Sequence, residues 1–434
     1  MGLTGGTIGF TGGAIGVFFC AFAGDVKSAA ILTARMVVRF LIGRGHCREH
    51  TICQHRSAPK ATSKLPPADN PRTLASEHMK SAAIALIASL AASAFADSLT
   101  ENEPLFFVGE TRQTATARLL RIPTATPQII SSSRETKYEL GRDYAWQPGS
   151  RELTLTPESR IPFTAPATLH PQPNSPNAYA AQRDTGAWML YGPGHLMHDL
   201  QSAATYQSDD DWRVTPIQLA PDQQLGQLRQ KLNAKQPLKV VMLGDSISTE
   251  ADASAIAHVP PNQPGYPTLL VRALEEKFGA KLTLANLSKG GMDSKWGTTR
   301  VPDVIAEKPD LLLLAFGMND ASGHRKPDEF AAFTRQMFEP VRTALPECTI
   351  ILISSMTANP EWNHSAPEIY PLYAQELAKL VGPGIAFADV TTRWEHISAR
   401  KKHMDLSGNG LNHPNDYGHR IYADVILRTI TAID

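Results

Sequence analysis

Cysteine is scarce in this chain and badly placed for cross-linking. Of four cysteines in 434 residues, Cys20, Cys47 and Cys53 fall near the start and only Cys348 lies in the remainder, so no disulfide framework can hold that remainder together. Charge of one sign is lacking too: 42 basic and 42 acidic residues give a formal net charge of zero. The balance is uneven along the chain. Residues 1–96 carry 10 Lys and Arg against 4 Asp and Glu, which leaves residues 97–434 with 32 basic and 38 acidic groups, a net of −6. That sign argues against nucleic acid or an anionic membrane surface as a main partner. There is no Gly-Lys-Ser/Thr phosphate loop. His195, His198 and Asp199 follow the loop signal Gly192-Pro193-Gly194 without any further Cys/His cluster, so neither a metal nor another cofactor is implied.

Apolar runs long enough for a bilayer are also wanting where they would matter most. Met79–Ala96 reads MKSAAIALIASLAASAFA: a lysine behind a methionine, a short apolar stretch and small residues before Asp97. This pattern predicts a secretory signal peptide over 79–96, cleaved after Ala96, with a secreted or periplasmic product and no stable membrane insertion afterwards. Residues 1–78, Gly-rich and then Arg/His/Cys-rich without a sustained period, are expected to be an upstream extension from a misassigned start; the alternative is a real extension with an N-terminal membrane segment.

What is present divides at about residue 220. Over 97–219, short runs such as Leu105–Val108, Ala115–Leu120, Lys137–Leu140, Glu152–Thr156 and Gly186–Tyr191 are broken by Pro, Gly, Ser and Asn, which predicts an antiparallel, sandwich-like β domain. A linker helix is expected within 220–236. From 237 to 434, apolar runs at Leu238–Leu243, Leu282–Asn286, Leu311–Ala315, Ile350–Ser354 and Ile385–Asp389 alternate with amphipathic segments. Strands alternating with helices at this spacing predict an α/β fold with a parallel sheet covered on both faces, with chemistry at the carboxyl ends of its strands.

Four short motifs fall at those ends, in order: Gly244-Asp245-Ser246, Asn286-Leu287-Ser288-Lys289-Gly290-Gly291, Gly317-Met318-Asn319-Asp320 and Asn412-His413-Pro414-Asn415-Asp416. A serine hydroxyl needs a base within hydrogen-bond reach and amide donors where an oxyanion develops. Taken together, the four blocks resemble the SGNH (GDSL-type) hydrolases, over about residues 237–434. The resemblance implies a three-layer α/β/α domain with a five-stranded parallel sheet. It also implies Ser246 as nucleophile, His413 as base, and an oxyanion hole made by the Ser246 and Gly291 amides with the Asn319 side chain.

One position departs from the family pattern. Where the family usually places an aspartate three residues before the histidine, this chain has Gly410. Three substitutes are open: a Ser-His dyad with a backbone carbonyl receiving the imidazole N–H, which is the preferred reading, or recruitment of Asp405 or Asp416 as third member. The resemblance further implies ester hydrolysis, with O-acetyl groups on polysaccharide or oligosaccharide as the favoured substrate. Trp296 and Trp362, aromatics near the motifs, are candidate sugar-stacking residues, with ordinary packing the preferred reading of each. The alternatives are a lipid esterase or thioesterase of the same fold, against which the polar, Pro-rich stretch Thr249–Pro264 speaks, and a catalytically silent glycan-binding protein.

Overall fold

The computed structural model describes residues 99–432 except 181, 184, 185 and 213–215. The expected extension over 1–78 and signal peptide over 79–96 lie outside the described residues. Among the described residues no helix is long and apolar enough to cross a membrane.

The first half is β-rich and antiparallel, as its short, turn-bounded runs predict. Its strands are β1 (Leu99–Leu105), β2 (Thr116–Arg118), β3 (Gln128–Ser131), β4 (Lys137–Tyr138), β5 (Tyr144–Trp146), β6 (Glu152–Leu155), β7 (Ala178–Tyr179), β8 (Met189–Leu190) and β9 (Ser202–Gln207). A four-stranded sheet in the order β1-β9-β3-β4 packs against a three-stranded sheet in the order β2-β6-β5. Leu105, Ile129, Ala204 and Tyr206 from the first and Ala117, Tyr144, Leu153 and Leu155 from the second share one buried cluster, so the two inner faces make a sandwich core. The Gly141–Tyr144 turn belongs to that packing: the Tyr144 hydroxyl donates to the Pro127 carbonyl at 2.7 Å, and buried Asp143 accepts from Arg160 at 2.7 Å.

The second half is a five-stranded parallel sheet in the order β11-β10-β12-β13-β14. Its strands are β10 (Leu238–Gly244), β11 (Leu282–Asn286), β12 (Leu311–Ala315), β13 (Thr349–Ile353) and β14 (Ile385–Ala388). The reason these residues pair this way is visible in their composition. β12 reads LLLLA and β13 reads TIILI, and every residue in both is buried; such runs have no polar face and suit a sheet covered on both sides. Helices Tyr266–Phe278, Pro327–Ala344, Tyr370–Ala378 and Asp416–Ile430 supply the cover. The longest of them buries Phe330, Thr334, Met337, Phe338 and Val341 at helical spacing. The closing helix begins two residues later than Pro414, because the Asn415 side chain caps it by accepting from the Gly418 amide at 3.0 Å.

The two halves are joined by more than the helix Asp222–Asn233. Lys401, in the second half, reaches Glu103 on β1 at 2.8 Å, with both side chains fully buried. Glu103 also accepts from the Tyr206 hydroxyl at 2.5 Å and from the Leu120 amide at 2.9 Å. A buried charge pair of this kind needs further hydrogen bonds to be tolerable; Glu103 has these two donors, and Lys401 also donates to the Arg118 carbonyl at 2.7 Å.

Candidate active site

Ser246 lies on the turn after β10, Gly291 on the loop after β11 and Asn319 in the short helix Met318–Ser322 after β12. All three are therefore at the carboxyl ends of adjacent strands. His413 arrives from the loop ahead of the closing helix, and its Nε2 is 2.8 Å from the Ser246 hydroxyl oxygen. With the imidazole proton on Nδ1, the Ser246 hydroxyl donates to Nε2, which is the arrangement a general base requires.

The two glycine and asparagine blocks are tied to each other. One N–H of the Asn319 amide donates to the Met292 carbonyl at 2.8 Å, which fixes the group beside the Gly290-Gly291 turn and leaves its second N–H to point elsewhere. Buried Asp320 accepts from the Ser294 amide and hydroxyl at 3.0 and 2.5 Å and from Arg325 at 2.7 Å. Arg325 in turn reaches Asp293 at 2.5 Å. Burial raises the Asp320 carboxyl while Ser294 and Arg325 favour its ionised form. Gly291 has φ +76° and open space where a side chain would be, and a Cβ on Gly290 would stand 3.7 Å from that of Ser246. The loop after β11 thus comes up to the serine with backbone rather than side chain.

Beneath the serine, Asp245 is buried and its carboxylate accepts from the Ile247 amide at 3.0 Å. Burial pushes this carboxyl up to about 7.

The carboxylate that faces the histidine is one that no motif marks. Asp252 Oδ2 lies 2.6 Å from His413 Nδ1, and its side chain is only 6% exposed. Residue 252 sits in the polar stretch after the serine turn, six positions on from Ser246. The expected dyad, with a backbone carbonyl on Nδ1, is therefore corrected: an aspartate occupies that place. Neither alternative is there. Asp405 accepts from the Phe106 amide at 2.8 Å and the Lys402 amide at 2.9 Å, anchoring the β-rich half. Asp416 opens the closing helix and accepts from the Ser254 amide at 2.8 Å, pinning the same polar stretch that carries Asp252.

Two glycines explain the change of position. Gly410, where the family's aspartate would fall, has φ +90°, and a Cβ there would come within 2.5 Å of the Leu190 carbonyl oxygen on β8. A Cβ on Gly408 would come within 2.7 Å of the Asp252 Cβ. One glycine thus closes the usual place to any side chain and the other makes room for the replacement. The only sequence signal was indirect: a missing acid at 410 and an unexplained acidic turn, Glu250-Ala251-Asp252, after the nucleophile.

The aromatic candidates are elsewhere. Trp362 is 7% exposed and packed edge-on to His364 with ring centroids 5.5 Å apart, in keeping with the packing role expected of it over sugar stacking. Trp296 is half-buried against Phe316, with the Arg300 guanidinium 5.8 Å from its ring centre.

Residues 242–421, which span this whole arrangement, match the family model of the GDSL-like lipase/acylhydrolase family. The chain carries a GDSL-like hydrolase domain. Among solved structures, this chain is similar to a two-domain esterase active on acetylated mannans, co-crystallized with mannopentaose, at 20% identity and TM-score 0.40. That match covers 50% of this chain and 56% of the esterase, so just over half of that protein's length is spanned. The acetylxylan esterase Axe2 from Geobacillus stearothermophilus is similar at 20% identity and TM-score 0.36, covering 45% of this chain and 95% of Axe2. A lipase from a goat rumen metagenome is similar at 15% identity and TM-score 0.36, covering 44% and 95%. No curated protein matches the chain by sequence. Among the described residues no cluster of His, Cys, Asp or Glu could hold a metal ion around the GDSL-like site or away from it.

Proposed function

We propose that this protein is a serine esterase that removes acetyl or other short acyl groups from carbohydrate through an acyl-enzyme on Ser246. The observation that carries the reading is the hydrogen-bonded line Ser246–His413–Asp252, at 2.8 and 2.6 Å, set at the carboxyl ends of the parallel strands. In this mechanism His413 Nε2 takes the hydroxyl proton as Ser246 Oγ attacks the ester carbonyl. Asp252 keeps the imidazole in the Nδ1–H tautomer and offsets the positive charge it gains. The Ser246 and Gly291 amides and the free N–H of Asn319 receive the oxyanion. His413 then hands its proton to the departing sugar oxygen, and water, deprotonated by the same histidine, releases the acid from Ser246.

Support for a short acyl group on a polar carrier comes from the stretch after the serine. Thr249–Pro264 is polar and is tied down: the Ser254 amide and the Gln263 side chain both bond Asp416, at 2.8 and 2.7 Å, and the Gly265 amide donates to Glu250 at 3.0 Å. Ile256 is the one large apolar side chain this segment exposes, and a fastened segment of this kind lacks the continuous apolar face and the freedom of a lid for long acyl chains. Entry into the secretory route through Met79–Ala96 belongs to the same reading. Hydrolysis of p-nitrophenyl esters of increasing chain length, with Ser246→Ala as the blank, tests it. Acetate should be turned over fastest, and release of acetate from acetylated polysaccharides should follow; a maximum at eight carbons or more would favour a lipid esterase, and equal rates with Ser246→Ala would remove the enzyme altogether.

A further inference from the structure

Asp252 has two oxygens, and only one belongs to the histidine. The other, Oδ1, accepts from the backbone N–H of Gly194 at 2.7 Å. Gly194 is in the β-rich half, on the loop that follows β8. That segment runs along the histidine loop: the Leu190 carbonyl fills the place above Gly410, and the Gly192 amide donates to the Asn409 carbonyl at 3.1 Å. Farther along, His198 Nε2 is 2.7 Å from the Pro260 carbonyl, holding the far end of the stretch that carries Asp252. Gln201 donates to the carbonyls of Met404 and Ser407 at 2.8 and 3.0 Å and accepts from Asn415 at 2.9 Å.

We propose that the β-rich half is part of the catalytic apparatus, with the Gly194 N–H as a positioning group that turns the Asp252 carboxylate to face His413. The inference rests on the esterase reading above. A carboxylate held by one hydrogen bond can swing about its Cβ–Cγ bond and about χ1. Held at both oxygens by donors on opposite sides, it has one orientation, and preorganisation of this kind is what makes such a group effective as charge develops. Because the Leu190 carbonyl excludes a side chain at 410, the same strand-loop unit that bars the usual acid also secures its replacement.

The experiment deletes that single N–H. Glycolic acid in place of Gly194, introduced into the full chain by nonsense suppression, turns one amide into an ester and leaves the chain path unchanged. With p-nitrophenyl acetate, kcat should fall about tenfold or more, the size of one hydrogen bond to a charged group, with KM and melting temperature little changed. In an Asp252→Ala background the same replacement should alter kcat less than about twofold, because the group it positions is gone. An equal loss in both backgrounds, or no loss with Asp252 present, overturns the proposal. Should Asp252→Ala alone keep the parental rate, the failure lies in the Ser246–His413–Asp252 assignment itself, a result the first pair of measurements cannot mimic.

Discussion

Replacing Asp252 by Asn separates a triad from a dyad more sharply than any other single change. The backbone should tolerate it: Asp252 has φ +60°, a left-handed conformation that asparagine accepts as readily as aspartate. The new amide must still satisfy the Gly194 N–H, 2.7 Å away, and only its oxygen can do so. Its NH2 then faces His413 Nδ1 at the 2.6 Å position now held by Oδ2. An NH2 there forces Nδ1 to accept, so the imidazole proton moves to Nε2 and the ring can no longer take the Ser246 proton. Loss of one charged hydrogen bond alone would lower kcat by about 10- to 150-fold; a reversed tautomer lowers it by roughly 10⁴, as for an orienting aspartate made neutral in a serine protease. Steady-state hydrolysis of p-nitrophenyl acetate, beside a melting curve to establish that the fold is intact, should give the larger figure. A loss below about tenfold in a folded protein would refute the argument and restore the dyad.

Asn319→Ala should lower kcat by about 10²–10³ with little change in KM, since the lost N–H acts on the oxyanion and not on bound ester; a change confined to KM would move Asn319 out of that role. Asp405→Asn should do the reverse. It removes a charge 3.8 Å from Lys401 and, because an amide has a single acceptor oxygen, leaves either the Phe106 or the Lys402 N–H facing a donor, so urea unfolding should show a loss of about 1–3 kcal/mol while kcat stays within about threefold. For Asp245 the expectation concerns pH. Its folded value, about 7, lies above the ordinary carboxylate value of roughly 4, so the native state binds the proton more tightly and stability from this group is lost as pH climbs through 7. Asp245→Asn should therefore gain in melting temperature relative to the parent between pH 5 and pH 8; parallel curves would show that the carboxyl is ionised throughout.

The parallel sheet was legible because its strands are buried on both faces. Leu282–Asn286 and Leu311–Ala315 fall where the apolar runs predict them. β9 was not legible. Ser202–Gln207 reads SAATYQ, small and polar, yet it pairs with both β1 and β3 in the middle of its sheet. β1 hid for a related reason: LTENEPL carries Glu103 inward, and what makes that burial acceptable is a lysine far along the chain. In the site, Ser246, Gly291, Asn319 and His413 are spaced by the fold's own repeat of strand and turn, which a reader of sequence can follow. Asp252 is set by contacts with Gly194 and Gly408, which no local pattern encodes.

The Glu103–Lys401 pair also makes the first half depend on the second. The two residues are 298 positions apart, so the charge that balances Glu103 comes from close to the other end of the chain. Without Lys401, Glu103 still has the Tyr206 hydroxyl and the Leu120 amide as donors from its own half but no cationic partner, so the sandwich would close over a charge with nothing to offset it. The sandwich of the first half is therefore completed only by a residue of the second. The same packing of the two halves that brings Lys401 to Glu103 sets the Gly192–Gly194 loop on the histidine loop, so the core of the first half and the geometry of the site rest on one shared interface.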